Sequence, residues 1–69
     1  MTELAARLTR LRGEKSRKQV AADLGISQSA LAMYENGHRV PKDEIKVRIA
    51  SYYGRPVGEI FFTHSRHVM

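Results

Sequence analysis

An all-α fold is what this sequence predicts, five short helices in one compact domain. Three observations carry that prediction. Apolar residues recur at helical spacing, as Leu4, Leu8 and Leu11 do near the start. Glycines and capping-type residues divide the chain into helix-sized pieces. No segment alternates apolar and polar residues for long enough to make a strand.

The first helix is expected from Thr2 to about Glu14, with Thr2 as its N-cap and with Gly13 and Ser16 bracketing its end. The second runs from Arg17 to Leu24. Ser16 suits its N-cap, and Gln19 three residues on completes a capping-box pattern. Val20, Ala21 and Leu24 form its inner stripe. Gly25 supplies a residue that tolerates positive φ at the helix end. The third helix, Gln28 to Glu35, follows Ser27 as N-cap. Asn36 and Gly37 stop it, since both accept left-handed backbone. Only Ile26 and Ser27 separate Gly25 from this helix. Two helices joined by so short a turn cross steeply, in the helix-turn-helix arrangement, here at about residues 17–36.

The fourth helix is expected to begin near Pro41, which suits a first helical position. Asp43 and Glu44 favour the positive end of its dipole. Ile45, Ile49, Tyr52 and Tyr53 recur on one face, and Gly54 ends it. A fifth, short turn from Pro56 to Phe61 carries Val57, Ile60 and Phe61. The expected core is Leu4, Leu8, Val20, Leu24, Leu31, Ile45, Ile49 and Tyr53. Residues 1–62 then form the domain, and residues 63–69, which have no periodicity, a loose tail.

At 69 residues, such a chain buries only about 60% of the surface its unfolded form exposes. It needs an efficient helical core or a partner. It has no cysteine, so a disulfide framework and a thiolate metal site are both excluded. No apolar run approaches the ~20 residues of a membrane span. The N-terminal stretch mixes charges with leucines, unlike a signal peptide. The net charge is +5 and the pI about 10.1. A basic small domain has the electrostatic footprint of a nucleic-acid binder, although acidic partners and anionic lipid attract such charge as well. Arg7, Arg10, Arg12, Lys15, Arg17 and Lys18 crowd the first quarter, opposed there by Glu3 and Glu14.

The third helix gives the charge a purpose. With about 100° per residue, Leu31 and Tyr34 face inward, while Ser29, Met33 and Asn36 lie opposite, flanked by Gln28 and Ala32. A merely solvated face more often carries Lys and Glu. An uncharged face of small and amide side chains suits a DNA major groove. Gln can donate and accept at adenine, Ser can bond to several bases, and Ala or Met can touch a thymine methyl. Cations belong beside the groove, at the phosphates. Arg17, Lys18, Arg39 and Lys42 flank this face in the sequence.

The stretch SRKQVAADLGISQSALAMYENGHRVP resembles the helix-turn-helix of the Xre family, the lambda-repressor-like DNA-binding domains. Its most specific elements are the run Ala21-x-x-Leu24-Gly25-Ile26-Ser27, Leu31 after it, and Tyr34-Glu35-Asn36-Gly37 closing with Pro41. The likeness extends over roughly Leu4 to Phe62. It implies a five-helix lambda-repressor-like fold and binding to double-stranded DNA. It also implies residue roles. Gln28, Ser29, Ala32 and Met33 would face base edges, with Gln28 and Ser29 nearest because they open the helix. Ser27 would cap the helix and reach a phosphate. Arg17 stands where the family often has a Gln on a phosphate, with Lys18 beside it. Asn36, the Gly37 amide, His38 and Arg39 would follow the DNA backbone. Glu35 would pair with Arg10 of the first helix. Two departures shift the balance. Ala32 and Met33 replace positions that are often polar readers, and Arg17-Lys18 replaces Gln or acidic residues. A heavier phosphate contribution and a weaker base code are expected.

Proteins with this motif commonly bind as two-fold dimers on two half-sites. Phe61 and Phe62 are adjacent, so one is expected to face outward. With Val57 it would form an apolar patch of the kind that marks contact surfaces, and a homodimer through Val57, Phe61 and Phe62 is expected. His64 and His67 are too few and too poorly framed for a metal site, and no metal, cofactor or small-molecule ligand is expected. No carboxylate pair, nucleophile–base set or phosphate-cradling glycine loop is present, so no enzyme is expected. A chain that opens on Met1 and closes without a linker is expected to act alone. The reading is thus a small transcription regulator, a repressor on a palindromic operator, in the cytoplasm of a bacterium or encoded by a phage. The competing reading is an antitoxin-like or anti-repressor-like module that grips protein with the same fold.

Overall fold

The computed structural model describes residues 3–61 and is all-helical among them. The order is α1 (Glu3–Arg12), α2 (Arg17–Leu24), α3 (Gln28–Glu35), α4 (Asp43–Tyr53) and α5 (Val57–Phe61). Helix α3 packs on both α1 and α2. Helix α4 packs on α2 and α5, and α5 closes back onto α1.

Local chemistry sets the helix ends. The Ser16 side chain accepts from the Gln19 amide, and the Ser27 side chain from the Ala30 amide, each at 3.0 Å. The reciprocal half of the Ser16 capping box does not form. The Gln19 side chain donates instead to Asp23 at 2.8 Å, one helical turn ahead. Gly25 takes φ 75°, the left-handed conformation that a Cβ disfavours. Its turn lets the Ile26 amide reach the Ala21 carbonyl at 3.0 Å. That turn aims α3 across α2. At the end of α3, Asn36 stays right-handed at φ −97°, and Gly37 alone takes the positive φ, 79°. Helix α4 starts two residues later than expected. Pro41 is buried ahead of it, and Lys42 holds the N-cap position without a side-chain cap bond. Thr2, expected as the cap of α1, lies outside the described residues.

The core is continuous. Leu8, Val20, Ala21, Leu24, Leu31, Tyr34, Ile49, Ala50, Ile60 and Phe61 form one buried cluster, with Leu4, Leu11, Ile26, Ile45, Tyr53 and Val57 packed against it. Arginine guanidinia tie the helices together where carbonyls would otherwise be left over. Arg48 donates to the Leu24 carbonyl at 2.9 Å, covering the end of α2. Arg7 donates to the Ile60 carbonyl in α5. Lys15 over the Tyr52 ring holds the α1–α2 loop to α4, and the Tyr52 hydroxyl, donating to Asp23 at 2.7 Å, ties α2 to α4.

Because the Ser27 hydroxyl satisfies an otherwise unpaired amide of α3, Ser27→Ala is expected to cost about 1 kcal/mol in a urea titration. A loss within error of zero would mean that water replaces the cap without penalty.

Candidate nucleic-acid interface

Helix α3 turns Leu31, Tyr34 and Glu35 into the protein. Its other side is open. Gln28, Ser29 and Asn36 are exposed, Ala32 is half-buried, and Met33 keeps 41% of its surface in solvent. No charged side chain lies on that open face, as the helical wheel predicted. Ser27 sits at the amino end, exposed, with its hydroxyl engaged on the Ala30 amide.

The carboxyl end closes through its own backbone. The His38 amide donates to the Met33 carbonyl at 2.9 Å, and the Gly37 amide to the Tyr34 carbonyl at 3.3 Å. This is a Schellman closure. It corrects one expectation, since the Gly37 amide is occupied within the chain rather than offered outward. The side chains beyond it remain available. His38 and Arg39 are exposed, and the Arg39 guanidinium lies 4.0 Å from the Met33 sulfur. A cation thus stands at the edge of the uncharged face.

The larger correction concerns Glu35. Its carboxylate is 1% exposed and is held by Arg12 and Arg17, not by Arg10. Arg12 Nε donates to both carboxylate oxygens, at 3.1 and 2.9 Å, while its Nη1 donates to the Lys15 carbonyl at 2.9 Å. Arg17 Nε reaches Oε1 at 3.1 Å. Arg10 is exposed and lines a groove between α1 and α5 with Arg7, Leu11, Arg55, Glu59 and Ile60. The helical wheel gives the reason. From buried Leu8, Arg12 lies about 40° around the helix and Arg10 about 200°. Helix α1 presents its Leu8 side to α3, so Arg12 reaches Glu35 and Arg10 points away. The four-residue spacing of Arg12 from Leu8 carries that signal in the sequence itself.

The basic residues therefore divide. Arg7, Arg12, Lys15, Lys46 and Arg48 hold helices or rings together. Lys18, Arg39 and Lys42 are exposed, and Arg17 does both, tying α2 to Glu35 while its side chain stays 38% exposed. Tyr52 and Tyr53 add no charge at neutral pH. The hydrogen bond from Tyr52 to Asp23 raises the Tyr52 pKa, helped by desolvation. Burial, then the nearby Glu35 charge, pushes Tyr53 up to about 12.

Residues 7–60 match the model of the helix-turn-helix family. The chain belongs to this family, the Xre-like, lambda-repressor-like group. As a member of it, the chain is a DNA-binding transcription regulator. Neither curated proteins nor solved structures yield a match. In this helix-turn-helix, α2 and α3 are the paired helices, and α3 is the one with an uncharged open face. Among the described residues no cluster of His, Cys, Asp or Glu could hold a metal ion, and no helix is long and apolar enough to cross a membrane. His64 and His67 lie outside the described residues.

The expected dimer patch needs correction too. Phe61 is 5% exposed and belongs to the core, where Lys46 stands 5.7 Å from its ring centroid. Val57 is half-buried and packs on that core. Phe62 lies outside the described residues. The Phe pair was ambiguous because two adjacent residues cannot share a helix face. The fold resolves the ambiguity by turning Phe61 inward.

Proposed function

We propose that this regulator is a repressor that binds a palindromic operator as a homodimer, with α3 in the major groove. In this reading Gln28 and Ser29 read base edges, and Ala32 and Met33 make apolar contacts, above all with thymine methyls. Arg17, Lys18, Asn36, His38 and Arg39, with the Ser27 end of α3, contact phosphates. The observation that supports it best is the uncharged open face of α3, with partly open cations at its edges. Small side chains let the helix approach the base pairs, and the cations gain from phosphate neutralisation. Dimerisation would use the surface around α5 near Val57. The site of action is the compartment that holds the DNA, the cytoplasm of a bacterium.

Selection from a pool of random duplexes at near-physiological salt tests this. The expected product is a palindrome with half-sites about 10 base pairs apart. Retention without enrichment would leave a non-specific coater. No retention would favour an antitoxin-like protein partner. Once a motif is known, Gln28→Ala is expected to relax preference at one base pair, costing about 1–3 kcal/mol there, whereas Arg39→Ala weakens all sequences nearly alike. A uniform loss from Gln28→Ala would remove Gln28 as a base reader. Sedimentation of the free protein at tens of micromolar showing monomer only would remove the preformed dimer.

A further inference from the structure

We infer that buried Glu35 is a positioning residue for DNA binding, acting through Arg17. This rests on the reading of Arg17 as a phosphate contact and adds the reason that Arg stands there.

Two arginines converge on one carboxylate. Arg12 alone already engages both oxygens of Glu35, so the Arg17 bond is not needed to neutralise the buried charge. The cluster of two cations and one anion carries a net positive charge. That surplus sits on its more open member, since the Arg17 side chain is 38% exposed, against 17% for Arg12 and 1% for Glu35. Arg17 is the first residue of α2, and Glu35 the last of α3. The bond therefore spans the two helices of the motif at one edge of the site. It uses a single Nε–H of Arg17. A guanidinium has five N–H donors in a rigid plane, so four remain, fixed in direction by the fifth. A side chain otherwise free to rotate is held ready for a phosphate, and less ordering is left to do on binding. A lysine ammonium has three donors on one rotatable nitrogen, so a bond to the carboxylate would not fix the direction of the others toward a phosphate.

The test compares Arg17→Lys, Arg17→Ala and Glu35→Gln with the parent protein. Binding to a mixed-sequence duplex is measured across a salt series, and folding is checked by circular dichroism. Both Arg17 variants should lose about one unit of salt slope and about tenfold in affinity, although Arg17→Lys keeps the net charge. Glu35→Gln is the sharper case. It removes a negative charge, so simple electrostatics predicts tighter binding, whereas lost positioning predicts weaker binding. In the parent protein, the Arg17 Nε–H resonance should show slowed exchange without DNA and keep its position when DNA is added.

Several outcomes would overturn the inference. Parental slope and affinity in Arg17→Lys would mean that charge alone suffices. Tighter binding by a folded Glu35→Gln protein would leave no positioning role. Lower thermal stability with an unchanged slope in Arg17→Ala would make the bond purely structural. Parental binding indifferent to salt would remove the phosphate reading and this inference with it.

Discussion

Arg12→Ala is expected to destabilise the domain by about 3 kcal/mol, the lower end of what breaking a buried ion pair costs. Arg10→Ala is expected to change stability by less than about 0.5 kcal/mol. The two arginines are two residues apart on one helix and differ in what they touch. Arg12 binds both oxygens of a carboxylate that is 1% exposed and also ties down the Lys15 carbonyl. Removing it leaves a buried anion with only the single Arg17 bond, while the anion keeps most of its desolvation cost. That remaining bond is why the lower end of the range applies. Arg10 is exposed, so its removal uncovers no buried charge. Urea titrations of both variants at neutral pH measure the difference directly. Equal losses would return Arg10 to the pair with Glu35.

Phe61→Ala should cost about 3–5 kcal/mol through lost burial and the cavity left behind. In a domain this small that corresponds to a melting point lower by on the order of 20–35 °C. The loss should be the same at every protein concentration, because Phe61 packs within one chain against the cluster that includes Ile49 and Ile60. An interface residue would behave differently. Its removal would matter most where the parent protein is dimeric and vanish on dilution. Thermal scans at two widely separated concentrations distinguish the cases. A loss that disappears in the dilute sample would restore Phe61 to a dimer contact.

Much of this architecture was legible before any coordinates, for local reasons. Helices α2 and α3 lie where Ser16, Gly25, Ser27 and the Asn36-Gly37 pair placed them. Caps act within one helical turn, so sequence neighbours are sufficient to define them. The outer face of α3 was likewise predictable, because its direction follows from helical periodicity once Leu31 is known to face inward. The start of α4 differs from the expected one for a related reason. Pro41 fits a first helical position by its fixed φ, yet it serves here as a buried residue ahead of the helix.

Partner choice was another matter. Arg10 and Arg12 carry the same charge, and Phe61 and Phe62 the same ring. Composition cannot separate them. The packing of α1 on α3 selected Arg12 for Glu35, the closure of α5 onto α1 and α4 drew Phe61 inward, and the crossing of α2 and α3 brought Arg17 to the same carboxylate. The sequence by itself determined the helices, their caps, the uncharged reading face and the basic character of this regulator. Each depends on residues within a turn or two of one another. Only the tertiary structure decided which cations are structural and which stay open to a ligand. That choice depends on the relative rotation of helices distant in the chain, and those rotations are set by how the whole core packs.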